Sequence, residues 1–258
     1  MIKNLIFDLD GTLLNTLADL RDSTNFALKK FNYPEKTTDE VRNFVGNGLR
    51  MLIKRAVPQG TNDKTVDAVL SEMKTHYREH YHDGTVPYDG ILPFLRKMKR
   101  CDLRMAIVSN KANPMVQLLR TLYFDDLIPV AVGELDGVPR KPAPDMVRIA
   151  MQRLGCTEEN TVYIGDSEVD IETAKNTGLP CFSVGWGFRT EESLRSAGAE
   201  TIYCSPAELQ EALISQVCPC KRKKCERHGN CDACRAHHHD SSRKPLTACE
   251  RLEQKSSK

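Results

Sequence analysis

The stretch that decides the fold is Met1-Ile2-Lys3-Asn4-Leu5-Ile6-Phe7-Asp8-Leu9-Asp10-Gly11-Thr12-Leu13-Leu14. Its apolar run up to Phe7 predicts a short buried strand, because it is rich in residues that favour β structure and stops abruptly at two carboxylates and a glycine. Asp8 and Asp10 are two residues apart, so on a continuing strand they would share a face. A divalent cation that prefers oxygen ligands, such as Mg²⁺, would offset the repulsion between them.

The glycine that follows, Gly11, permits a tight turn at which backbone N–H groups can face an anion. The stretch therefore predicts a metal-assisted site at the carboxyl end of a strand, where open α/β sheets place their ligands. A strand followed by an ordinary Asp-Gly turn fits these residues about equally well. The rest of the chain has to distinguish the two interpretations.

The composition is that of an ordinary globular protein with one large domain or two small ones. The chain has 258 residues, of which 40% are hydrophobic and 28% are charged. No apolar run approaches the length of a membrane span. The N-terminus leads directly into the first predicted strand, without the pattern of a signal peptide. We therefore expect a cytoplasmic protein without a membrane partner.

The end of the chain, residues 218–258, differs from the rest in composition. It contains 11 Lys and Arg against 5 Asp and Glu, so it carries +6 and the remainder of the chain −4. It also holds six of the 10 cysteines and four of the seven histidines. We interpret this segment as a separate tail.

Helical periodicity fills residues 15–83, whereas apolar strands alternate with helices from residue 84 to residue 217. This pattern predicts an α/β protein: a Rossmann-like parallel sheet with helices on both faces, an all-helical insertion after the first strand, and a small Cys-rich tail. The predicted units are residues 1–14 with 84–217, residues 15–83 and residues 218–258.

Polar groups that suit phosphate chemistry follow four of the predicted strands: Asp8 with Asp10, Ser109 with Asn110, Lys141, and Asp166 with Asp170. In a doubly wound sheet these strand ends converge on one crevice. Mg²⁺ and the lysine would neutralise phosphoryl oxygens, and a carboxylate could attack phosphorus to form an aspartyl phosphate. Considered one at a time, Ser109, Asn110 and Asp166 could be ordinary helix caps, and Lys141 could be a surface lysine. Their joint occurrence favours the active-site interpretation.

Four motifs, in this order along the chain, resemble those of the haloacid dehalogenase superfamily: Asp8-Leu9-Asp10-Gly11-Thr12, Ser109-Asn110, Arg140-Lys141-Pro142, and Gly165-Asp166-Ser167 with Asp170. The first motif resembles the phosphotransferase branch, and the helical insertion resembles the cap of subclass I. More narrowly, the segments 45–50 and 184–188 resemble phosphoglycolate phosphatases. The resemblance covers about residues 1–217.

The resemblance implies a role for each residue of these motifs. Asp8 would be the nucleophile, and Asp10 would protonate the leaving alkoxide and then activate water. The phosphoryl group would be held by Gly11, Thr12, Ser109, Asn110 and Lys141. Mg²⁺ would be held by Asp8, Asp166 and the backbone carbonyl of Asp10, with Asp170 supporting these ligands from outside.

In the helical insertion, Asn47 and Arg50 are candidates to reach the substrate, and Arg50 could pair with a carboxylate. A solvated helix face is the simpler explanation of these residues. Closure of the cap would exclude water until Asp10 is in place, with hinges near residues 14–16 and 83–88.

The tail has the spacing of metal ligands in Cys218-Pro-Cys220, Cys225-Glu-Arg-His228 and Cys231-Asp-Ala-Cys234. Zn²⁺ is the first expectation and an iron–sulfur cluster the second. Disulfides rank lower in a cytosolic chain, and a disordered basic tail is the simplest alternative. Nucleic acid is an unlikely partner, because no aromatic residue is interleaved with the basic ones.

The sequence thus predicts a Mg²⁺-dependent phosphomonoester hydrolase acting on a small phosphorylated metabolite. By resemblance, 2-phosphoglycolate is the leading substrate. Pyrophosphate, a nucleotide or a sugar phosphate are alternatives within the superfamily, and β-phosphoglucomutase activity ranks below these. The tail is interpreted either as a metal site or as a metal-binding interaction module.

Overall fold

A computed structural model describes residues 1–46, 48–222 and 224–256. Within them the main sheet has six parallel strands in the order β5-β4-β1-β6-β7-β8. The strands of the described residues are β1 Asn4–Phe7, β2 Leu14–Asn15, β3 Val86–Pro87, β4 Arg104–Ala112, β5 Val130–Glu134, β6 Thr161–Gly165, β7 Cys181–Val184 and β8 Ile202–Tyr203. The predicted α/β fold is confirmed.

The helices lie between the strands, in the insertion and in the tail. They are α1 Leu17–Lys30, α2 Thr38–Phe44, α3 Leu49–Ala56, α4 Asp63–Glu79, α5 Ile91–Arg100, α6 Asn113–Phe124, α7 Asp145–Leu154, α8 Glu168–Thr177, α9 Glu191–Ser196, α10 Pro206–Val217, α11 Cys231–His239 and α12 Ala248–Ser256. None of the helices in the described ranges is long and apolar enough to cross a membrane.

The first strand, β1, lies near the centre of the sheet and is buried along its whole length. Because strand side chains alternate between faces, Leu5 and Phe7 pack with α5, α6 and α10 on one face. Ile6 packs with α7 and α8 on the other. The short apolar run therefore forms the middle of two hydrophobic cores.

The insertion forms a helical cap with a core of its own. Helices α1 to α4 bury a cluster of aliphatic residues against one another, and Phe188, from the loop after β7, joins it. The chain leaves and re-enters the main unit through the antiparallel pair β2 and β3, where Leu14 lies opposite Pro87. This pair falls where hinges were expected, and the domain boundaries stay predictions.

The structure differs from the sequence expectation in β4. The strand was expected to end at Val108, but it continues to Ala112 with a register shift between these two residues. Ser109 and Asn110 therefore lie within an irregular strand end rather than in a loop after it. Such irregularities redirect side chains, which apolar periodicity does not reveal.

Asp19 of α1 connects the cap to its return segment and provides a test of the fold. The carboxylate is buried and accepts hydrogen bonds from the backbone N–H of Gly84 at 2.7 Å and of Thr85 at 2.9 Å. Asp19→Ala leaves both donors unpaired, so we expect the free energy of unfolding in urea to fall by about 3 kcal/mol. Asp22→Ala, which removes an exposed carboxylate from the same helix, should change it by less than about 0.5 kcal/mol. Equal effects of the two substitutions would contradict this role of Asp19.

Candidate active site

The carboxyl ends of β4, β1 and β6, which are neighbours in the sheet, bring the predicted site residues together. Asp8 follows β1 directly, and Asp166 follows β6. The carboxylates of Asp8, Asp166 and Asp170, here called the three-carboxylate cluster, are buried and have oxygen atoms within 4.8 Å of one another. The strand ends thus converge as the sequence predicted for an open α/β sheet.

Lys141 supplies the ammonium group beside the three-carboxylate cluster. Its Nζ lies 2.7 Å from Asp8 Oδ1, 2.9 Å from Asp170 Oδ1 and 2.9 Å from the hydroxyl of Tyr163. Only 3% of the lysine side chain is exposed, so little water competes for these contacts. When all three carboxylates are ionised, the single ammonium of Lys141 leaves two negative charges of the cluster uncompensated.

Burial, and then the neighbouring charges, shift the pKa values of these groups. Burial, opposed by Lys141 and assisted by Asp170 and Asp166, raises the pKa of Asp8 well above its usual value. Burial and the charge of Asp170 raise the pKa of Asp166 to about 7. Burial disfavours the ammonium form of Lys141, but Asp170 and Asp8 outweigh it and raise the pKa of the lysine. The lysine therefore stays charged, and a bound cation would favour ionised carboxylates.

The donor set fits a divalent cation with oxygen ligands. Asp166 is fixed by hydrogen bonds from Thr12 Oγ1 at 2.8 Å and from the N–H of Phe188 at 2.8 Å. A Cβ on Gly11, whose φ is +94°, would lie 2.3 Å from Asp166 Oδ2, so the turn needs a glycine at this position. Carboxylates held this firmly, with two charges to neutralise, match what a hard divalent ion requires.

Asp170 is the most restrained member of the three-carboxylate cluster. Its Oδ1 accepts from Lys141 and Tyr163, and its Oδ2 accepts from the N–H of Ser167 at 3.1 Å and the Ser167 hydroxyl at 2.6 Å. The bond from the N–H of Ser167 is one half of the capping box at the start of α8. Because the two carboxylate oxygen atoms of Asp170 already accept hydrogen bonds from four donors, this residue is better placed to orient Lys141 than to bind an ion directly.

Asp10 has different surroundings. Its Oδ1 lies 2.7 Å from Lys111 Nζ, and its Oδ2 accepts a hydrogen bond from Ser109 Oγ at 3.4 Å. Lys111 Nζ also lies 5.0 Å from the centre of the Tyr77 ring of α4. Sequence reasoning missed Lys111 and Tyr77. Lys111 directly follows Ser109 and Asn110, and this adjacency was the available signal.

The predicted phosphate-binding residues have partners that define the shape of the site. Asn110 Nδ2 donates to the carbonyl of Lys141, and Asn110 Oδ1 accepts from its N–H, both at 2.9 Å. Trp186 Nε1 donates to the carbonyl of Thr12 at 3.0 Å and so supports the first turn. Asn110 therefore fixes the backbone that carries the lysine, a role that its position in the sequence did not indicate.

A cavity of about 410 Å³ extends from the three-carboxylate cluster to helices α3 and α4 of the cap. Arg50 lines it, but its guanidinium pairs with Asp67 at 2.8 Å and Asp63 at 3.2 Å in the same cap. Asn47 lies outside the described residues. Lys74 and Arg78 of α4 also line the cavity, and neither forms an ion pair with another described residue.

Arg189 connects the cap to the main unit at the rim of this cavity. It pairs with Glu168 at 2.8 Å and donates from Nη2 to the carbonyl of Val45 at 2.8 Å. Local sequence patterns do not indicate this contact, because the two segments are far apart along the chain. The arrangement as a whole can place a phosphate ester between a buried carboxylate and cationic groups of both units.

The raised pKa of Asp166 predicts how stability without metal depends on pH. An acid whose pKa rises from 3.8 to about 7 on folding binds its proton more tightly in the folded state. In EDTA, the free energy of unfolding should therefore decrease as pH rises from about 4 to about 7, by up to about 4 kcal/mol from this group.

Asp166→Asn cannot ionise, so its stability should decrease less over the same pH range in urea unfolding. The difference between the two proteins reports the titration of Asp166 together with its effect on the pKa of Asp8. Parallel pH profiles for the wild type and the variant would contradict the raised pKa.

Comparison with known proteins identifies the family. The model of the haloacid dehalogenase-like hydrolases matches residues 5–184, which include every motif from Asp8 to Asp170. The chain is 31% identical over 218 residues to the phosphoglycolate phosphatase of Colwellia psychrerythraea, covering 82% of this chain and 95% of the relative. It is 29% identical over 224 residues to the N-acetylmuramic acid 6-phosphate phosphatase of Pseudomonas aeruginosa, covering 85% and 98%.

A solved structure of a candidate phosphoglycolate phosphatase from Lactobacillus delbrueckii subsp. bulgaricus matches with a TM-score of 0.78 and 34% identity, over 82% of this chain and 98% of that one. The predictions of superfamily and of phosphatase class are confirmed. The chain belongs to the haloacid dehalogenase-like hydrolases, as a phosphatase of that superfamily.

Proposed function

We propose that this phosphatase is Mg²⁺-dependent, transfers the phosphoryl group to Asp8, and acts on small phosphorylated metabolites, with 2-phosphoglycolate as its leading substrate. The observation that carries the mechanism is the position of Asp8: it contacts Lys141 at 2.7 Å within the three-carboxylate cluster, beside the cavity. A carboxylate in such a place can act as a nucleophile towards phosphorus once cations neutralise the phosphoryl oxygens.

In the first step, an oxygen of Asp8 attacks phosphorus and the bond from phosphorus to the ester oxygen breaks. Asp10, lying two residues on, gives its proton to the departing alkoxide. In the second step, Asp10 takes a proton from water, whose oxygen attacks the same phosphorus. The acyl phosphate bond breaks, which releases inorganic phosphate and restores the Asp8 carboxylate.

Lys141 stabilises the charge that develops on the phosphoryl oxygens, while Asp170 and Tyr163 hold its ammonium in place. Asp8, Asp166 and the backbone carbonyl of Asp10 would hold Mg²⁺, which supplies two positive charges at the phosphoryl group. Asp170 supports the site from outside these ligands.

Ser109 and the turn at Gly11 and Thr12 bind the phosphoryl group. Asn110 contributes through the backbone of Lys141, which it holds with two hydrogen bonds. Lys111 orients Asp10 through its contact at 2.7 Å. It also links Asp10 to Tyr77 of the cap, so cap closure can influence the acid–base group.

The relatives that are named phosphoglycolate phosphatases favour 2-phosphoglycolate. A sugar phosphate is the second candidate, and two observations favour it. One relative is named for N-acetylmuramic acid 6-phosphate, a much larger ester. The cavity of about 410 Å³ also falls within the range of sites that bind drug-sized ligands.

Phosphate release with Mg²⁺ across a panel of esters tests both parts of the proposal. The panel contains 2-phosphoglycolate, sugar phosphates, nucleotides and pyrophosphate, compared by kcat/KM. Asp8→Asn should lower phosphate release at least about 10³-fold, because the amide is a poor nucleophile. Asp22→Asn, an exposed control in the cap, should leave it unchanged.

Activity that persists in Asp8→Asn would contradict the mechanism. If a sugar phosphate exceeds 2-phosphoglycolate in kcat/KM, the second candidate replaces the first while the mechanism stands.

Lys74 and Arg78 are available to bind a second anionic group of the substrate, since both line the cavity. Lys74→Met and Arg78→Met should each raise KM for 2-phosphoglycolate about fivefold to tenfold, through the loss of an ion pair of about 1 kcal/mol. Hydrolysis of p-nitrophenyl phosphate, which lacks a second anion, should not change. Lys64→Met, on the same helix but away from the cavity, is the control. A uniform loss with both substrates would exclude this specific role.

For the tail, we propose a metal site, with Zn²⁺ as the first candidate and an iron–sulfur cluster as the second. His228 has a buried Nε2 without a hydrogen-bond partner in the described residues, as expected of a ligand nitrogen. The alternative is a metal-binding interaction module. We place the protein in the cytoplasm, with a small phosphorylated metabolite rather than nucleic acid as its partner.

A further inference from the structure

The tail folds back onto the main unit at the end of the sheet where the strands begin, opposite the active site. The residues it covers, 1–3 and 101–103, immediately precede β1 and β4. They therefore lie at the amino ends of these strands, whereas Asp8 and Asp10 lie at the carboxyl end. A second cavity, of about 130 Å³, lies between the tail and this end of the sheet.

Specific contacts fix the position of the tail. Arg235 of α11 forms an ion pair with Asp102, which follows α5. Gly229 has a φ of +67°, and a Cβ there would lie 2.5 Å from Ile214 Cγ2 of α10. The thiol of Cys101 donates to the carbonyl of Gly229 at 3.5 Å. The tail thus packs closely against the ends of α5 and α10.

Five cysteines from four elements line the second cavity. Cys101 directly follows α5, Cys218 directly follows α10, Cys231 and Cys234 belong to α11, and Cys249 belongs to α12. All five are partly buried. Cys218, Cys231 and Cys234 belong to the ligand set expected from spacing, whereas Cys101 and Cys249 do not. Cys101 lies more than a hundred residues before the tail, so no spacing rule could include it.

Cys231 is the centre of this group, because Cys101, Cys249 and Cys218 all lie near its thiol. Cys234 has a different set of neighbouring thiols, namely Cys218, Cys220 and Cys225. A cation with affinity for sulfur can be shared by neighbouring thiolates, and its binding releases their protons.

We propose that the second cavity is a thiolate zinc site formed by Cys101, Cys218, Cys231 and Cys249, in which the catalytic unit itself supplies one ligand to the tail. This inference rests on the tail metal site proposed above and replaces the ligands expected from spacing, His228 included, with these four cysteines. Four cysteines are a common ligand set of structural zinc. Tetrahedral zinc with bonds of about 2.3 Å requires sulfur atoms about 3.8 Å apart.

In the described residues no three potential tail ligands lie within 4.8 Å of one another. Zinc binding therefore draws α11 and α12 closer to the end of α5. The site would fasten the tail to the catalytic unit at a distance from the chemistry.

The test uses the full-length protein and measures zinc affinity by competition with a chromogenic chelator. Cys101→Ser keeps the size of the side chain and removes the ligand. It should weaken zinc binding at least tenfold, and Cys231→Ser should do the same. Cys156→Ser, which changes another partly buried cysteine outside the cavity, should have no effect. Far-UV circular dichroism confirms that each variant is folded.

Cobalt substitution counts the sulfur ligands directly. The sulfur-to-cobalt absorption band of the wild type should correspond to four thiolates and should decrease by about a quarter in Cys101→Ser. Zinc should also protect the tail from limited proteolysis in the wild type and protect it less in Cys101→Ser. Wild-type affinity and absorption in Cys101→Ser, or a wild-type protein that binds no zinc, would overturn the proposal.

Discussion

The structure depends on one buried ammonium that faces three buried carboxylates. Lys141 contacts Asp8 and Asp170 directly, with Asp166 beside them, and the charge of this group is unbalanced by two units. Burying such an excess is costly unless a cation or a substrate compensates it. Much of the surrounding structure keeps these groups in place: Asn110 holds the backbone of Lys141, and the start of α8 holds Asp170. The proposed binding of a divalent cation and a phosphate ester would offset this cost.

A second constraint connects this chemistry to the cap. Asp10 pairs with Lys111, and Lys111 packs against the ring of Tyr77, so Asp10 is linked to the cap through this lysine. Arg189 makes a comparable link at the rim, between Glu168 and the backbone of Val45. Movement of the cap would therefore change the surroundings of Asp10. Binding energy from distant parts of a substrate can in this way influence the reacting groups.

The sequence was sufficient for features that depend on local pattern. The apolar run before Asp8 predicted a buried strand, and four polar strand ends predicted a common site, because parallel topology brings the carboxyl ends together. Tyr77 and Arg189 could not be found in this way, since their importance comes from contacts between distant segments. Lys111 had only one local signal, its place directly after Ser109 and Asn110. Arg50 illustrates the converse: its charge suggested substrate binding, but neighbouring acidic residues on the cap pair with it.

The two ends of the parallel strands carry different potential ligands, and the two metal sites proposed above would use this difference to separate two kinds of metal ion. Buried carboxylates at the carboxyl ends of the strands offer hard oxygen atoms, which suit magnesium. Thiols near the amino ends of the strands offer soft sulfur atoms, which suit zinc and bind magnesium poorly. With Cys101 as a ligand, the tail would be held at the amino ends of the strands, away from Asp8. The cavity between Asp8 and the cap would then not be covered by the tail.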